Sequence, residues 1–513
     1  MNRIPLPLAA LAAGAASAFA FEPAGWWPLM ILAIAILCEL IARAGSLKSA
    51  LLIGWLLGLG QFTIGLNWIA TAFTFQAAMP AWLGWVAVVL LSLYLAIYPA
   101  MAAGLAWRFG QKNKLALVLA LAGGWAITEW LRATMFTGFA WNPIGVTLVE
   151  SSARHLSRLV GTYGLSAIAV LLSGALWLAC YRRTFTVLAI IAPIALLSAS
   201  LPEIGVSSGW IYRARIVQPN IGQQDKWRPG FDEEAYRRLY ALSIQGPPRP
   251  RLIFWPEAAV TEPIEDGRFH GKKLAAGERL RATRPLGPGD VLLTGGLSLT
   301  SRDGRTVDGA TNSVYVMQPL GKISGRYDKA HLVPYGEYLP MRPLLSKIGL
   351  SRLAPGNVDF VPGPGPRSVD LPEGPYGGGS VGMQLCYEII FSGEVVDRKN
   401  PPSFIFNPSN DAWFGRWGPP QHLAQARLRA TEEGLSIVRS TPTGISALIA
   451  PDGKLLGSIP WQRSGAITGP IWGLLEGPAF PFRAYGNVIP LTLGFFLLIA
   501  AIALSRRARY RAI

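Results

Sequence analysis

Long runs of apolar residues dominate the first two hundred positions of the chain. Few charges interrupt them, and one further run lies near the end: they cover residues 4–20, 26–42, 50–72, 82–106, 115–134, 163–180, 184–201 and 488–504. A helix rises about 1.5 Å per residue, so each of these runs is long enough to cross the hydrocarbon layer of a bilayer. The pattern therefore predicts eight membrane-spanning helices.

The stretch from about 210 to 470 has a different pattern, in which short β-rich runs alternate with amphipathic ones. Strands are predicted at 215–218, 252–255, 291–294, 313–317, 381–385, 404–406 and 445–449, and helices at 232–243, 272–283 and 421–434. The segment 355–379 is rich in proline and glycine and predicts a surface loop. Alternation of this kind is typical of a layered α/β domain with a core of its own.

These patterns divide the chain into three parts. A transmembrane helix bundle is predicted at 1–205, an α/β domain at 206–487, and a C-terminal membrane helix with a basic tail at 488–513.

Basic residues are distributed unevenly over the loops between the apolar runs. The loops at 21–27 and 73–81 contain neither lysine nor arginine, whereas the connections that alternate with them are basic. By the positive-inside rule both termini are cytoplasmic and the α/β domain lies on the other side of the membrane. Arg154 and Arg158 are an exception to this alternation, and we expect them to pack against the outer domain.

The composition excludes several classes of protein. With 51% hydrophobic and only 15% charged residues, the chain is too apolar for an ordinary soluble enzyme. A net charge of +17 could indicate nucleic-acid binding, but the basic residues form no stripe interleaved with aromatic ones. We therefore expect anionic lipid headgroups, and no nucleic acid, as partners. Three cysteines, two of them within apolar runs, argue against a disulfide framework.

Two groups of residues each allow two interpretations. Asn67, Glu129 and Asn142 lie inside or beside predicted spans, where they could line a cavity or form hydrogen bonds between helices. The loop 410–418 contains three large aromatic residues. It could be buried beneath the domain, or it could form a flexible arm that admits an acyl chain.

Cys386 differs from the other two cysteines, because it directly follows the predicted strand 381–385 in the α/β domain. A thiol at a strand end can face a cleft. It is a useful nucleophile only as thiolate, so it needs a base to take its proton and a cation to hold the charge. Glu257 and Lys329 occur in similar strand-end settings upstream and supply that pair.

The stretches around these three residues carry a family resemblance. Residues 255–257 (Trp-Pro-Glu), 327–340 (Tyr-Asp-Lys-Ala-His-Leu-Val-Pro-Tyr-Gly-Glu-Tyr-Leu-Pro) and 386–388 (Cys-Tyr-Glu) resemble the nitrilase superfamily, whose Glu-Lys-Cys triad sits on an αββα sandwich. Because membrane helices flank the domain, the chain most resembles the apolipoprotein N-acyltransferase family. The resemblance also implies that the first apolar run is retained as a helix, although Ala18-Phe19-Ala20 satisfies the rule for a signal peptidase site.

The resemblance implies a two-step transfer at the outer face of the bacterial inner membrane, with the catalytic domain in the periplasm. An acyl chain moves from a phospholipid, phosphatidylethanolamine being the expected donor, to Cys386. It then passes to the α-amine of the diacylglyceryl-cysteine of an apolipoprotein. Lys329 and the backbone N–H of Tyr387 are expected to hold the oxyanion, and Glu257 to move the protons.

The family pattern also implies supporting residues. Glu337 resembles a second glutamate that supports the lysine, and Tyr387 and Glu388 match positions beside the nucleophile that are needed for activity. Trp227 resembles a substrate-site aromatic residue.

No cofactor or metal is implied. The four histidines, His155, His270, His331 and His422, show no metal-ligand spacing. Two alternatives remain open at this point: a membrane-tethered amidase that hydrolyses a C–N bond, and a transporter or scaffold whose outer domain is catalytically inactive.

Overall fold

The structure of the chain is a computed structural model. It describes residues 5–75, 80–201, 210–226, 228–246, 250–345, 347, 358–374, 378–472 and 480–510.

Helices make up the N-terminal part and the C-terminal end of the described chain. They are α1 (Leu6–Ser17), α2 (Pro28–Arg43), α3 (Leu47–Gly65), α4 (Trp68–Ala72), α5 (Leu83–Leu95), α6 (Ile97–Gly110), α7 (Lys114–Thr134), α8 (Ser157–Ala179) and α9 (Thr184–Ser200), followed after the α/β domain by α16 (Val488–Tyr510). All eight apolar runs are thus helical, as predicted.

Five helical stretches of the described chain are long and apolar enough to cross a membrane. They are Leu47–Gly65, Leu83–Gly110, Lys114–Thr134, Ser152–Ala179 and Val488–Ala508. The other three predicted spans are α1, α2 and α9, which have 12, 16 and 17 residues and are shorter than the predicted runs or at the lower limit of a span. A count of eight spans stays a prediction for those three helices.

Small residues allow the helices of the bundle to approach closely. A Cβ atom added to Gly14 of α1 would lie 2.0 Å from the carbonyl oxygen of Leu57 in α3, and one added to Gly60 would lie 2.4 Å from that of Leu11. Polar residues in the bundle bond to neighbouring backbone: Glu129 accepts from Ile144 N at 2.9 Å, and Asn67 donates to Ile64 O at 2.9 Å. The bond of Glu129 reaches the segment that follows α7, as the hydrogen-bonding interpretation predicts, whereas the bond of Asn67 is local to its own segment and decides between neither interpretation.

The α/β domain contains two sheets. Its strands are β1 (Trp210–Gln218), β2 (Leu252–Phe254), β3 (Glu265–Asp266), β4 (Val291–Thr300), β5 (Gly309–Gln318), β6 (Lys322–Asp328), β7 (Ser368–Leu371), β8 (Gly379–Met383), β9 (Phe404–Pro408), β10 (Ile437–Ser440), β11 (Ser446–Ile449), β12 (Leu455–Ile459) and β13 (Gly465–Trp472). One sheet has the order β13-β1-β2-β4-β5-β6 with β3 beside β4, and the other β12-β11-β10-β9-β8-β7. In each sheet the central strands, β1-β2-β4 and β8-β9-β10, are parallel.

The two sheets pack face to face around a shared apolar core. Alternation along the strands decides which side chains enter it, since neighbours on a strand point to opposite faces. In β2, Phe254 lies between the sheets, whereas Ile253 faces the helices outside. In β9, Phe404 and Phe406 lie between the sheets and Ile405 faces the other way. Val381 and Met383 of β8 also point into this core, so the strand that leads to Cys386 is anchored in it.

Helices cover both outer faces of the sandwich. The domain's helices are α10 (Gln223–Lys226), α11 (Phe231–Ile244), α12 (Gly271–Thr283), α13 (Arg342–Leu345), α14 (Gly418–Glu433) and α15 (Pro481–Tyr485). Helices α11 and α12 pack on the first sheet, and α14 packs on the second. The domain is therefore an αββα sandwich, as the resemblance implied.

Helix α14 lies between the second sheet and the membrane bundle. Trp141 Nε1 donates to Gln421 Oε1 at 2.8 Å, and Thr162 Oγ1 of α8 donates to Glu432 Oε2 at 2.8 Å. Arg154 Nε donates to the carbonyl oxygen of Asp452 at 2.9 Å, so the prediction that this loop packs against the α/β domain is confirmed. The α/β domain is thus docked on the bundle through buried polar contacts.

The loop 410–418 also contacts the bundle. Phe414 meets Trp68 edge-on with ring centroids 4.6 Å apart, and Trp417 meets Phe19 at 5.7 Å. Its aromatic side chains are half-buried between domain and bundle.

One sequence prediction of the fold was wrong. The segment 355–379, expected to be a surface loop, contains β7, which pairs antiparallel with β8 at the edge of its sheet. Its buried residues Val369 and Leu371 join the core between the sheets. A four-residue strand between proline-rich segments has too short a pattern to be recognised without its partner.

Candidate active site

Cys386 lies just beyond the end of β8, at the first residue of a 3₁₀ turn that spans 386–390. Its φ of +49° is in the left-handed region, which a residue with a Cβ atom rarely adopts. The side chain is buried, with 6% exposure. Burial and the nearby charge of Glu257 raise the pKa of the thiol well above its usual value, while the ammonium of Lys329 opposes that rise.

Glu257 follows β2 at the neighbouring end of the first sheet. Its Oε1 accepts a hydrogen bond from Asn312 Nδ2 at 2.7 Å. Its Oε2 is buried and has no hydrogen-bond partner among the described residues. A buried carboxylate oxygen without a donor is unfavourable in a resting protein, but it is what a proton acceptor for a neighbouring thiol requires.

Lys329 follows β6 and is 1% exposed. Its Nζ lies 2.9 Å from Glu337 Oε1 and 3.7 Å from Glu257 Oε1. Burial by itself would lower the pKa of this lysine, but the two carboxylates more than compensate and raise it, so the side chain is an ammonium at every physiological pH.

Asn312 on β5 joins the two glutamates, and sequence reasoning missed it. Its Nδ2 donates to Glu257 Oε1 at 2.7 Å and to Glu337 Oε1 at 2.8 Å, and its backbone oxygen accepts from Lys329 N at 2.9 Å. A signal was present, because Thr311, Asn312 and Ser313 are polar in a strand that is otherwise largely apolar. Only the pairing of β5 with its neighbours shows that the amide faces the glutamates.

Glu388 ties the turn of the cysteine to the loop of the lysine. Its Oε1 accepts from Tyr327 OH at 2.9 Å, Ala330 N at 2.8 Å and His331 N at 3.0 Å, and its Oε2 accepts from Leu385 N at 2.8 Å. Burial raises the pKa of Glu388 to about 7, against the effect of those backbone donors and of Lys329. Both oxygens are engaged, so the geometry assigns this residue a supporting position.

Tyr387 connects the cysteine turn to the membrane bundle. Its hydroxyl donates to the carbonyl oxygen of Gly138 at 3.1 Å, and its ring meets Phe391 edge-on at 5.2 Å.

Of the residues predicted from the sequence, the structure brings Glu257, Lys329 and Glu337 together beside Cys386. Trp227 lies outside the described residues.

Two further buried side chains lie beside the cysteine, and the sequence did not predict that they would meet it. Cys386 Sγ, a carboxylate oxygen of Asp411 and a ring nitrogen of His422 all lie within 4.8 Å of one another, a spacing that could hold a metal ion. However, the ring nitrogens of His422 lie 3.0 Å from Cys386 O and 3.0 Å from Asp411 Oδ1, and Arg439 Nη2 donates to Asp411 Oδ2 at 2.6 Å. A guanidinium bound to the carboxylate disfavours a second cation there.

An αββα sandwich that gathers a cysteine, a glutamate and a lysine at its strand ends defines a nitrilase-type domain, here carried on a multi-pass membrane bundle. Comparison with protein families agrees with this class. Residues 213–472 match the carbon-nitrogen hydrolase family, and residues 13–175 match the apolipoprotein N-acyltransferase N-terminal domain.

Full-length relatives narrow the class to one family. The chain is 34% identical to an apolipoprotein N-acyltransferase of Rhodopseudomonas palustris over 89% of this chain and 88% of the relative. It is 33% identical to that of Bradyrhizobium diazoefficiens over 98% of this chain and 94% of the relative. The chain therefore belongs to the apolipoprotein N-acyltransferase family.

A solved structure shares part of the chain at much lower similarity. The carbon-nitrogen hydrolase from Helicobacter pylori G27 covers 51% of this chain and 89% of its own, with 13% identity and a TM-score of 0.34.

Proposed function

We propose that the protein transfers an acyl chain from a phospholipid to the N-terminal α-amine of an apolipoprotein, through a thioester on Cys386. The family membership supports the overall reaction, and the geometry around the cysteine supports the individual roles. Phosphatidylethanolamine is the proposed donor and a diacylated apolipoprotein the proposed acceptor.

The first half of the reaction loads the cysteine. Glu257 takes the thiol proton on its free Oε2, and the thiolate attacks the ester carbonyl of the phospholipid. Lys329 Nζ and the backbone N–H of Tyr387 stabilise the oxyanion that forms. When this intermediate collapses, Glu257 returns the proton to the departing alkoxide, which leaves as the lysophospholipid.

The second half transfers the acyl group. The neutral α-amine of the apolipoprotein attacks the thioester carbonyl, and the same two donors stabilise the new oxyanion. Glu257 accepts the amine proton and returns it to the departing thiolate, so that an amide forms and the thiol is restored.

Electrostatics favour the protonated thiol form of Cys386, rather than the thiolate, before substrate binds. Burial and Glu257 together raise the pKa of Cys386, and the charge of Lys329 is already balanced by two carboxylates. We infer that deprotonation by Glu257 accompanies attack on the ester. The role of Glu337 is to hold Lys329 in place, and that of Asn312 is to fix the spacing of the two glutamates.

The orientation across the membrane follows from the charge pattern. Basic connections alternate with neutral ones along the helix bundle, which supports an inner-membrane protein with its catalytic domain in the periplasm. Both proposed substrates carry acyl chains, and the docking of the catalytic domain on membrane helices suits such substrates.

The free oxygen of Glu257 beside a buried cysteine is the observation that carries the mechanism, and a covalent intermediate tests it. The full-length protein is reconstituted with phosphatidylethanolamine, and its intact mass is measured before and after a lipopeptide with a free α-amine is added. An acyl adduct is expected in the first spectrum and its loss in the second, with no adduct on C386A.

The same experiment separates the rival functions. Release of free fatty acid without added amine would indicate hydrolysis. Full lipoprotein maturation by C386A would contradict the proposal and favour an inactive outer domain.

A further inference from the structure

The carbonyl group of Cys386 is bound by a histidine that the proposed mechanism does not use. His422 on α14 is fully buried, and its Nε2 lies 3.0 Å from the oxygen of Cys386. A carbonyl oxygen has no proton to give, so Nε2 must carry the hydrogen and donate it. The contact therefore places a hydrogen on Nε2.

The other side of the ring is held by a buried ion pair. Arg439 Nη2 lies 3.0 Å from His422 Nδ1 and donates to Asp411 Oδ2 at 2.6 Å. Burial and the charge of Arg439 lower the pKa of His422, against the opposing effect of Asp411. Nδ1 also lies 3.0 Å from Asp411 Oδ1, so the ion pair holds this side of the ring, and Nε2–H donates to Cys386 O whether or not Nδ1 carries a proton.

Aromatic rings from two parts of the molecule pack on this imidazole. The ring of Trp141, from the bundle, lies 5.1 Å from it, and that of Phe414, from the loop 410–418, lies 5.7 Å away. Both aromatic rings also contact Trp68, at 4.5 and 4.6 Å. The imidazole is thus held by hydrogen bonds at its two nitrogens and by packing from the bundle.

His422 binds the backbone of Cys386, which is in an unfavourable conformation and needs support from its neighbours. Cys386 has a φ of +49°, a conformation that is unfavourable for a residue with a Cβ atom and persists only when neighbours enforce it. Rotation away from it would move Sγ relative to Glu257 and Lys329.

We propose that His422 is a positioning residue for acyl transfer: its Nε2–H holds the peptide of Cys386 in the left-handed conformation that presents Sγ to the acyl ester. Arg439 and Asp411 hold the Nδ1 side of the ring, and the aromatic contacts make the placement of the sulfur depend on the docking of the catalytic domain on the bundle. The inference rests on the acyl transfer proposed above.

Two substitutions of the histidine separate this role from simple filling of the core. In H422Q the amide nitrogen takes the place of Nε2 and can still donate to Cys386 O. In H422N the amide takes the place of Nδ1, so it can accept from Arg439 but cannot reach Cys386. Both variants keep a polar, neutral side chain at the buried position.

The rate of acyl-enzyme formation is measured by intact mass on full-length protein in phosphatidylethanolamine vesicles. H422N is expected to acylate about a hundredfold more slowly than wild type, since a misplacement of about 1 Å has that effect, whereas H422Q stays within about tenfold. The phospholipid concentration for half-maximal rate should be unchanged in both. T431V is the matched control, because it removes the hydrogen bond of a buried hydroxyl to Arg427 O on the same helix, nine residues from His422, and it should acylate like wild type.

The outcomes distinguish the inference from the proposed function. If wild type forms no adduct, the acyl transfer itself is refuted. If wild type is acylated but H422N and H422Q have equal rates, the positioning role is wrong. If, in addition, wild type contains stoichiometric zinc that both variants lose, the group of Cys386, Asp411 and His422 is a metal site instead. If H422N does not fold, F414L decides: loosening the ring should slow acylation at least threefold, and an unchanged rate would overturn the inference.

Discussion

Removal of Glu388 should separate the two loops that carry the lysine and the cysteine. The carboxylate accepts four hydrogen bonds, three of them from backbone N–H groups, and it is 4% exposed. In E388A these donors lose their acceptor. Each buried donor left unsatisfied costs about 1 to 3 kcal/mol, although water that enters the vacated space would recover part of this. We expect E388A to lower the free energy of unfolding by at least about 3 kcal/mol and to abolish acylation.

The variant E388Q gives a more precise test of the same residue. One amide oxygen can replace Oε1 and keep the three bonds at that end. The amide nitrogen then faces Leu385 N, so that one buried N–H remains unsatisfied at a cost of about 1 to 3 kcal/mol. We expect E388Q to fold, with a moderate fall in stability and slowed but measurable acylation.

The assay combines chemical denaturation in detergent with single-turnover acylation followed by intact mass. If E388A retained wild-type stability and acylation, the reasoning that Glu388 holds the two loops would be refuted. If E388Q kept wild-type stability but lost acylation completely, Glu388 would have a chemical role that its hydrogen bonds do not indicate.

The pKa of Glu388 also predicts a pH dependence of stability. Because the folded-state pKa is raised from 4.5 to about 7, the contribution of this group is fully present below pH 4.5 and is lost as the pH rises through about 7. The difference is worth up to about 3 kcal/mol at about 1.4 kcal/mol per pKa unit. Over this range wild type should lose stability relative to E388Q, and a constant difference between the two proteins would contradict the raised pKa.

Two further substitutions test the contacts around the site. N312D places a third carboxylate against Glu257 and Glu337, so the acylation rate should fall at least tenfold at neutral pH, whereas a rate equal to wild type would show that the amide bridge does not matter. Y387F removes only the hydrogen bond to Gly138 O, so thermal unfolding should show a loss of about 1 kcal/mol with acylation nearly unchanged; a large loss of acylation at wild-type stability would contradict a purely anchoring hydroxyl.

Local pattern was sufficient for much of this protein. The apolar runs identified the helices of the bundle, because burial in a membrane demands continuous apolar sequence. The strands that lead towards Glu257 and Cys386 were recognisable as short apolar runs bounded by turn residues, and the motifs around Glu257, Lys329 and Cys386 carried the resemblance to the family. These features reside in consecutive residues, so a single sequence contains them in full.

Other features depended on residues that are distant along the chain. Strand β7 is visible only beside β8, and the bond of Asn312 to two glutamates exists only because β5 lies between β4 and β6. The hydrogen bond of His422 to Cys386 spans 36 positions, and the packing of Trp141 on the histidine joins the bundle to the catalytic domain. The sequence alone determined which groups could do the chemistry. Only the tertiary structure decided which of them meet, because hydrogen bonds and ion pairs act over a few ångströms whatever the separation along the chain.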